Sequence, residues 1–158
     1  MGCISETKFG PGLKYATSFD ERLFEAGCDV DVVVDVETGE ASATVAMRRF
    51  LGSTPAFRIA DEELTAIAEV VKSVRSRAWL LDDTVEGAQS HQLNYSSGGA
   101  TLTVVHPKGR PARFVLTIGL FNKEGKLDEL SGEEIDVAVK RIEDLKGKTR
   151  AKVAAAKK

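Results

Sequence analysis

The sequence predicts an α+β protein made of two similar ββββα units in tandem, packed as an intramolecular pseudo-twofold dimer. Three observations carry this. Two amphipathic stretches share one apolar spacing, and their counterparts Leu64 and Ile135 lie 71 positions apart. Alternating apolar and polar runs precede both stretches at nearly the same offset. A short Gly-containing turn joins the central strand pair of each unit, as tight hairpins require.

Residues 1–19 read as an N-terminal arm with a short strand at Lys14–Ser18. The first unit spans 20–79. A polar-aromatic stretch holding Phe24 ends at Gly27. Val30, Val32, Val34 and Val36 then alternate with Asp31 and Asp35, the period-two pattern of a strand with one buried face. The turn ETGE returns the chain into ASATVAMRRF (41–50). There Ala43, Val45 and Met47 point inward, while Ser42, Thr44, Arg48 and Phe50 point outward. PAFRI (55–59) is a short strand. The helix follows, with Leu64, Ile67, Ala68, Val71 and Val74 on one stripe. Asp61 is its candidate N-cap, and Glu62 and Glu63 suit the positive helix end.

Residues 80–90 are an acidic, turn-rich linker, and the second unit spans 91–145. Tyr95 takes the place of Phe24. Leu102 and Val104 share a face at an offset of 70, which a single insertion between ETGE and PKGR reconciles. ARFVLTIGLF (112–121) falls on 41–50 without a gap. Phe114, Leu116, Ile118 and Leu120 point inward; Arg113, Val115, Thr117 and Phe121 point outward. KLDEL (126–130) is the last short strand. Ser131 caps a helix whose stripe is Ile135, Ala138, Val139, Ile142 and Leu145. Residues 146–158 carry six basic and no acidic side chains and no amphipathic pattern, so they read as a disordered basic tail. One such unit cannot bury its sheet alone. Two can, each helix helping to cover the other's sheet.

Charge is divided unevenly. The net charge of the 158 residues is −2, yet 1–90 hold nine basic and sixteen acidic side chains, and 91–158 hold thirteen and eight. No apolar run is long enough to span a membrane, and the start MGCISETKFG lacks a secretory core. Glu6 stands where a myristoylation pattern wants Ser or Thr. Two cysteines, Cys3 and Cys28, make neither a disulfide framework nor a zinc site. The expectation is a reducing, cytoplasmic setting: nucleoid-associated, or nuclear or in a host cytosol if the source is eukaryotic or viral.

Tandem ββββα units of this size resemble the Whirly proteins, the Pur-alpha repeat proteins and the positive-cofactor-four type of coactivator. The likeness covers about 20–146, and includes the helix starts FRIADEEL and DELSGEEI. The Lys-Gly-rich contact signature of plant Whirly proteins is missing from the sheet, and KGKTRA (146–151) only echoes it elsewhere. The resemblance implies binding of single-stranded nucleic acid across exposed sheets and hairpins. Such binding needs cations along the backbone path and flat faces for bases. The candidates are Arg48, Arg49 and Phe50 in the first unit. In the second they are Tyr95, Lys108, Arg110, Arg113, Phe121 and Lys123, with His106 beside the basic hairpin. The equivalent first hairpin, DVETGE, repels phosphates.

Unlike-charged halves also suit self-association or capture of a basic protein through the acidic first unit. The alternative reading is therefore an assembly or adaptor module, such as a virus or phage accessory protein. Catalysis is not expected. His91 and His106 lack a Cys or Ser partner, no GxSxG is present, and SSGGAT lacks the Lys and helix of a phosphate loop. Asp82-Asp83 is linker rather than a metal site, and no cofactor is expected.

Overall fold

In the computed structural model the described residues are 3–9, 12–48, 55–76, 87–93, 100–107 and 109–156. The chain is α+β, with two antiparallel sheets and two long helices. The first sheet runs in order β1 (Cys3–Phe9), β2 (Gly12–Leu23), β3 (Ala26–Asp35), β4 (Ala41–Arg48) and β5 (Pro55–Ala60), and helix α1 (Asp61–Arg75) follows. The second runs β6 (Gly87–Leu93), β7 (Ala100–His106), β8 (Arg113–Ile118) and β9 (Phe121–Lys126). A short 3₁₀ turn at Leu127–Glu129 leads into helix α2 (Glu133–Ala156).

Alternation places the core. Val30, Val32 and Val34 of β3 and Ala43, Val45 and Met47 of β4 are buried, as are Leu102 and Val104 of β7 and Phe114, Leu116 and Ile118 of β8. Both helix stripes are buried too: Leu64, Ile67, Val71 and Val74 on α1, and Ile135, Ala138, Ile142 and Leu145 on α2. All belong to one cluster. Helix α2 lies across β2, β3 and β4 of the first sheet and against α1, while α1 touches β4, β5 and β6.

Two aromatic and glycine contacts bind the second sheet to the first. Phe24 meets Phe121 at 5.6 Å between ring centroids. Gly119 turns β8 into β9 with φ +59°, and a Cβ there would stand 2.7 Å from Met47 Sδ. Only glycine serves both needs at that turn. The β2–β3 turn has no such help: Phe24 (φ 54°) and Glu25 (φ 60°) are both left-handed, as a two-residue twist-matched hairpin demands.

Four expectations need correction. The described part of the 1–19 arm, Cys3–Phe9 and 12–19, is strand. Tyr15, Thr17 and Phe19 stand opposite Val34, Val32 and Val30, so β2 continues the buried face well before residue 20. The linker 80–90 is shorter at its end, because β6 begins at Gly87. The last strand of the second unit is Phe121–Lys126 rather than 126–130, because the Gly119 turn folds the chain back at once and pairs Ile118 with Phe121.

The disordered tail is the fourth. Helix α2 runs to Ala156, with Lys146, Thr149 and Val153 buried. Its stripe simply continues past Leu145, with Thr149 and Val153 following at intervals of four. The missing acids have a local reason. This segment lies over the acidic first hairpin, where Arg150 Nε donates to Gly39 O at 2.8 Å. Lys146 forms a buried ion pair with Asp61 and a second with Glu143 at 3.2 Å. Asp61 is thus an ion-pair partner rather than a cap. Ser131 stands one residue before the cap position, since Gly132 O accepts the first helical bond from Asp136 N; its Oγ accepts from Glu133 N at 3.1 Å. No helix among the described residues is long and apolar enough to cross a membrane.

Candidate functional site

Each sheet keeps one face away from the helices, and the two outer faces differ in charge geometry. On the first, Lys14 stands opposite Asp35, and Asp29 opposite Ala46, which in turn faces Arg58. Arg48 bridges Asp20 at 2.5 Å and reaches Asp29 at 3.8 Å. The cation expected to grip phosphate is therefore committed to its own sheet. At the hairpin tip, the Asp35 carboxylate accepts from the backbone N–H of Glu37 and Thr38 at 2.9 and 3.1 Å. Thr38 and Glu37 donation, with Lys14 nearby, holds that carboxyl below its ordinary range.

The outer face of the second sheet comes in rows. Val105, Arg113 and Lys126 face one another across three strands; so do Thr103, Val115 and Glu124, and then Thr101, Thr117 and Asn122. Arg113 opposite Lys126 is a like-charge cross-strand pair. Side chains so placed have Cβ atoms about 4.5–5.5 Å apart and repel. Glu124 stands in the next row, but no ion pair joins it to either cation within the described residues. Arg110, also exposed, closes the β7–β8 turn, its N–H donating to Pro107 O, three residues before β8 begins. Two apolar side chains flank the cations in the open: Val105 is 44% and Val115 39% exposed.

The remaining expected site residues divide. Arg110 and Arg113 are exposed as expected. Arg49, Phe50, Tyr95 and Lys108 lie outside the described residues. Phe121 is not a stacking platform: it is buried against Phe24, because the reversal at Gly119 turns it inward. Lys123 stands opposite Leu116 on the inward side and binds Glu134 at 3.1 Å, anchoring the start of α2. His106 is not exposed at the hairpin either. It is 2% exposed, and neither ring nitrogen has a partner among the described residues. It occupies the inward alternation of Leu102 and Val104, at the position corresponding to Val36 in the first sheet.

Lys126 is the residue that sequence reading missed. Its signal was the Gly119 turn, which, once read as a two-residue reversal, sets Lys126 opposite Arg113. Among the described residues no three His, Cys, Asp or Glu side chains gather as a metal site. Cys28, 0% exposed, lies 3.6 Å from Leu23 O and 3.5 Å from Ala26 O. Burial pushes its thiol up, which keeps it protonated and unreactive. No protein-family model matches this chain, nor does any curated protein or solved structure.

Proposed function

We propose that this is a non-enzymatic, single-stranded nucleic-acid-binding protein that works through the outer face and basic hairpin of its second sheet. The observation that carries the reading is Arg113 opposite Lys126, with no acidic ion-pair partner for either among the described residues. A like-charge pair on adjacent strands costs stability. A phosphate backbone laid across the strands relieves that repulsion, and phosphate contacts supply most nucleic-acid affinity. An extended single strand can lie along such a face with its phosphates on the cations.

The reading keeps the duplicated ββββα architecture as its frame. Support comes from the helix stripes, whose four buried positions on α1 recur on α2 at the same offset, and from four meandering strands before each helix. In this view β1 is an addition to the first unit. The first outer face, where Arg48 bridges Asp20 and Asp29, has become the structural half.

The test is binding of a fluorescent single-stranded oligonucleotide at low and moderate salt. Salt-sensitive binding is expected, and R110E/R113E should weaken it far more than E37Q/E40Q. Equal effects of the two double variants, or no binding at low salt, would overturn the assignment.

A further inference from the structure

We infer that the outer face of the second sheet selects thymine-rich single strands, over purine-rich strands and over strands lacking the thymine methyl. The inference rests on the function proposed above and concerns the same site. It follows from what that face holds and what it lacks.

Proteins that bind single strands without regard to base do so by stacking bases on aromatic rings. On β7, β8 and β9 the outer rows hold no ring: the phenylalanines of these strands, Phe114 and Phe121, both point into the core. A purine run must unstack its own bases before it can lie on a sheet. These three strands offer no ring to compensate that loss. Pyrimidine runs are already loosely stacked, so they meet no such barrier.

What the face does hold suits the thymine methyl. Val105 lies opposite Arg113, and Val115 is the next outward residue on the same strand as Arg113. The two exposed valines are therefore diagonal neighbours beside the phosphate-binding pair. They form a small apolar patch one strand spacing from the cations. A thymine C5-methyl is the one base substituent that gains from apolar contact there. In the next row but one, the Thr117 hydroxyl hydrogen-bonds Asn122 Oδ1 at 3.2 Å. That bond leaves the Asn122 amide N–H groups as donors for pyrimidine carbonyls.

The experiment is fluorescence anisotropy of the full chain with four labelled homopolymers of equal length at one low salt concentration: oligo(dT), oligo(dU), oligo(dC) and oligo(dA). Oligo(dT) should bind tightest. Loss of the methyl in oligo(dU) should weaken binding by about fourfold, the worth of one buried methyl, and oligo(dA) should be weaker still. V105S/V115S, a change at two exposed positions, should bring the dT to dU ratio to one while salt-dependent binding persists; an unchanged melting temperature confirms its fold. Oligo(dA) equal to or tighter than oligo(dT), or oligo(dU) equal to oligo(dT), overturns the selectivity and leaves the proposed function standing. Failure of all four to bind overturns both.

Discussion

On the first sheet, Asp20 stands opposite Asp29 and Arg48 bridges both, while Lys14 stands opposite Asp35. On the second, Arg113 meets Lys126. The same contrast runs through the interior. Helix α2 closes the far end of the first sheet with Lys146 on Asp61, Arg150 on the first hairpin and Val153 in the core. At the matching end of the second sheet stands His106, buried with both nitrogens unpaired. Two sheets of similar construction thus differ in electrostatic closure. A half whose opposed carboxylates share an arginine of their own sheet holds the fold, and a half that leaves cations opposed is free to meet an anion.

Breaking the closure of the first half should have the largest effect. K146M leaves Asp61 without its buried partner and should cost about 3 kcal/mol. At this chain length that lowers the melting temperature by roughly 6–12 °C. D61L/K146M should recover most of the loss. If K146M alone is neutral, the helix end does not lock the first sheet. The same pair sets an alkaline limit. Burial lowers the Lys146 pKa, but hydrogen bonding and charge from Asp61, with Glu143 behind, outweigh it and raise it above its ordinary value. Its contribution is therefore complete below the unfolded pKa of about 10.4 and is lost as pH rises through the higher folded value. Melting curves on the alkaline side should show this fall in the parent chain and not in D61L/K146M.

Charge reversal on the outer faces comes next. R113E/K126E should weaken single-strand binding at low salt by more than about tenfold, since two phosphate contacts become repulsive. R58E on the first sheet should change it less than about twofold by the same reasoning. Comparable losses would mean that both faces bind. A smaller effect sharpens the interior contrast. H106V places the residue type of position 36 in the second sheet. It should stabilise by about 1 kcal/mol, because two buried nitrogens without partners are removed; a lower denaturant midpoint would contradict this. The smallest effect is at the β2–β3 turn. E25G relieves a left-handed non-glycine residue at some cost in chain entropy, for a net gain of about 0.5 kcal/mol, read from the same midpoint.

Much of this was legible from alternation and spacing. The buried stripes on α1 and α2, the inward valines of β3 and the inward faces of β4 and β8 follow from periods that each residue obeys. What the sequence hid has physical causes. The strand at 12–23 mixes Thr17 and Lys14 into its pattern, and its burial becomes visible only once its register against β3 is known. The end of α2 looked like a tail because its buried face is small and polar there: Lys146 and Thr149 take core positions that apolar residues fill earlier in the helix. Phe121 and Lys123 were misplaced by one decision, the length of the turn at Gly119. A one-residue change of register exchanges the two faces of a strand. That exchange buried the expected platform and brought out Lys126.

The central claim is that Arg113 and Lys126 hold a nucleic-acid backbone. The most direct measurement is the salt dependence of oligo(dT) binding for the parent chain and for R113Q/K126Q. Each contacted phosphate of a single strand contributes about 0.7 to the slope of log affinity against log salt. Loss of two contacts should therefore reduce that slope by about 1.4. A slope unchanged in R113Q/K126Q would contradict the account.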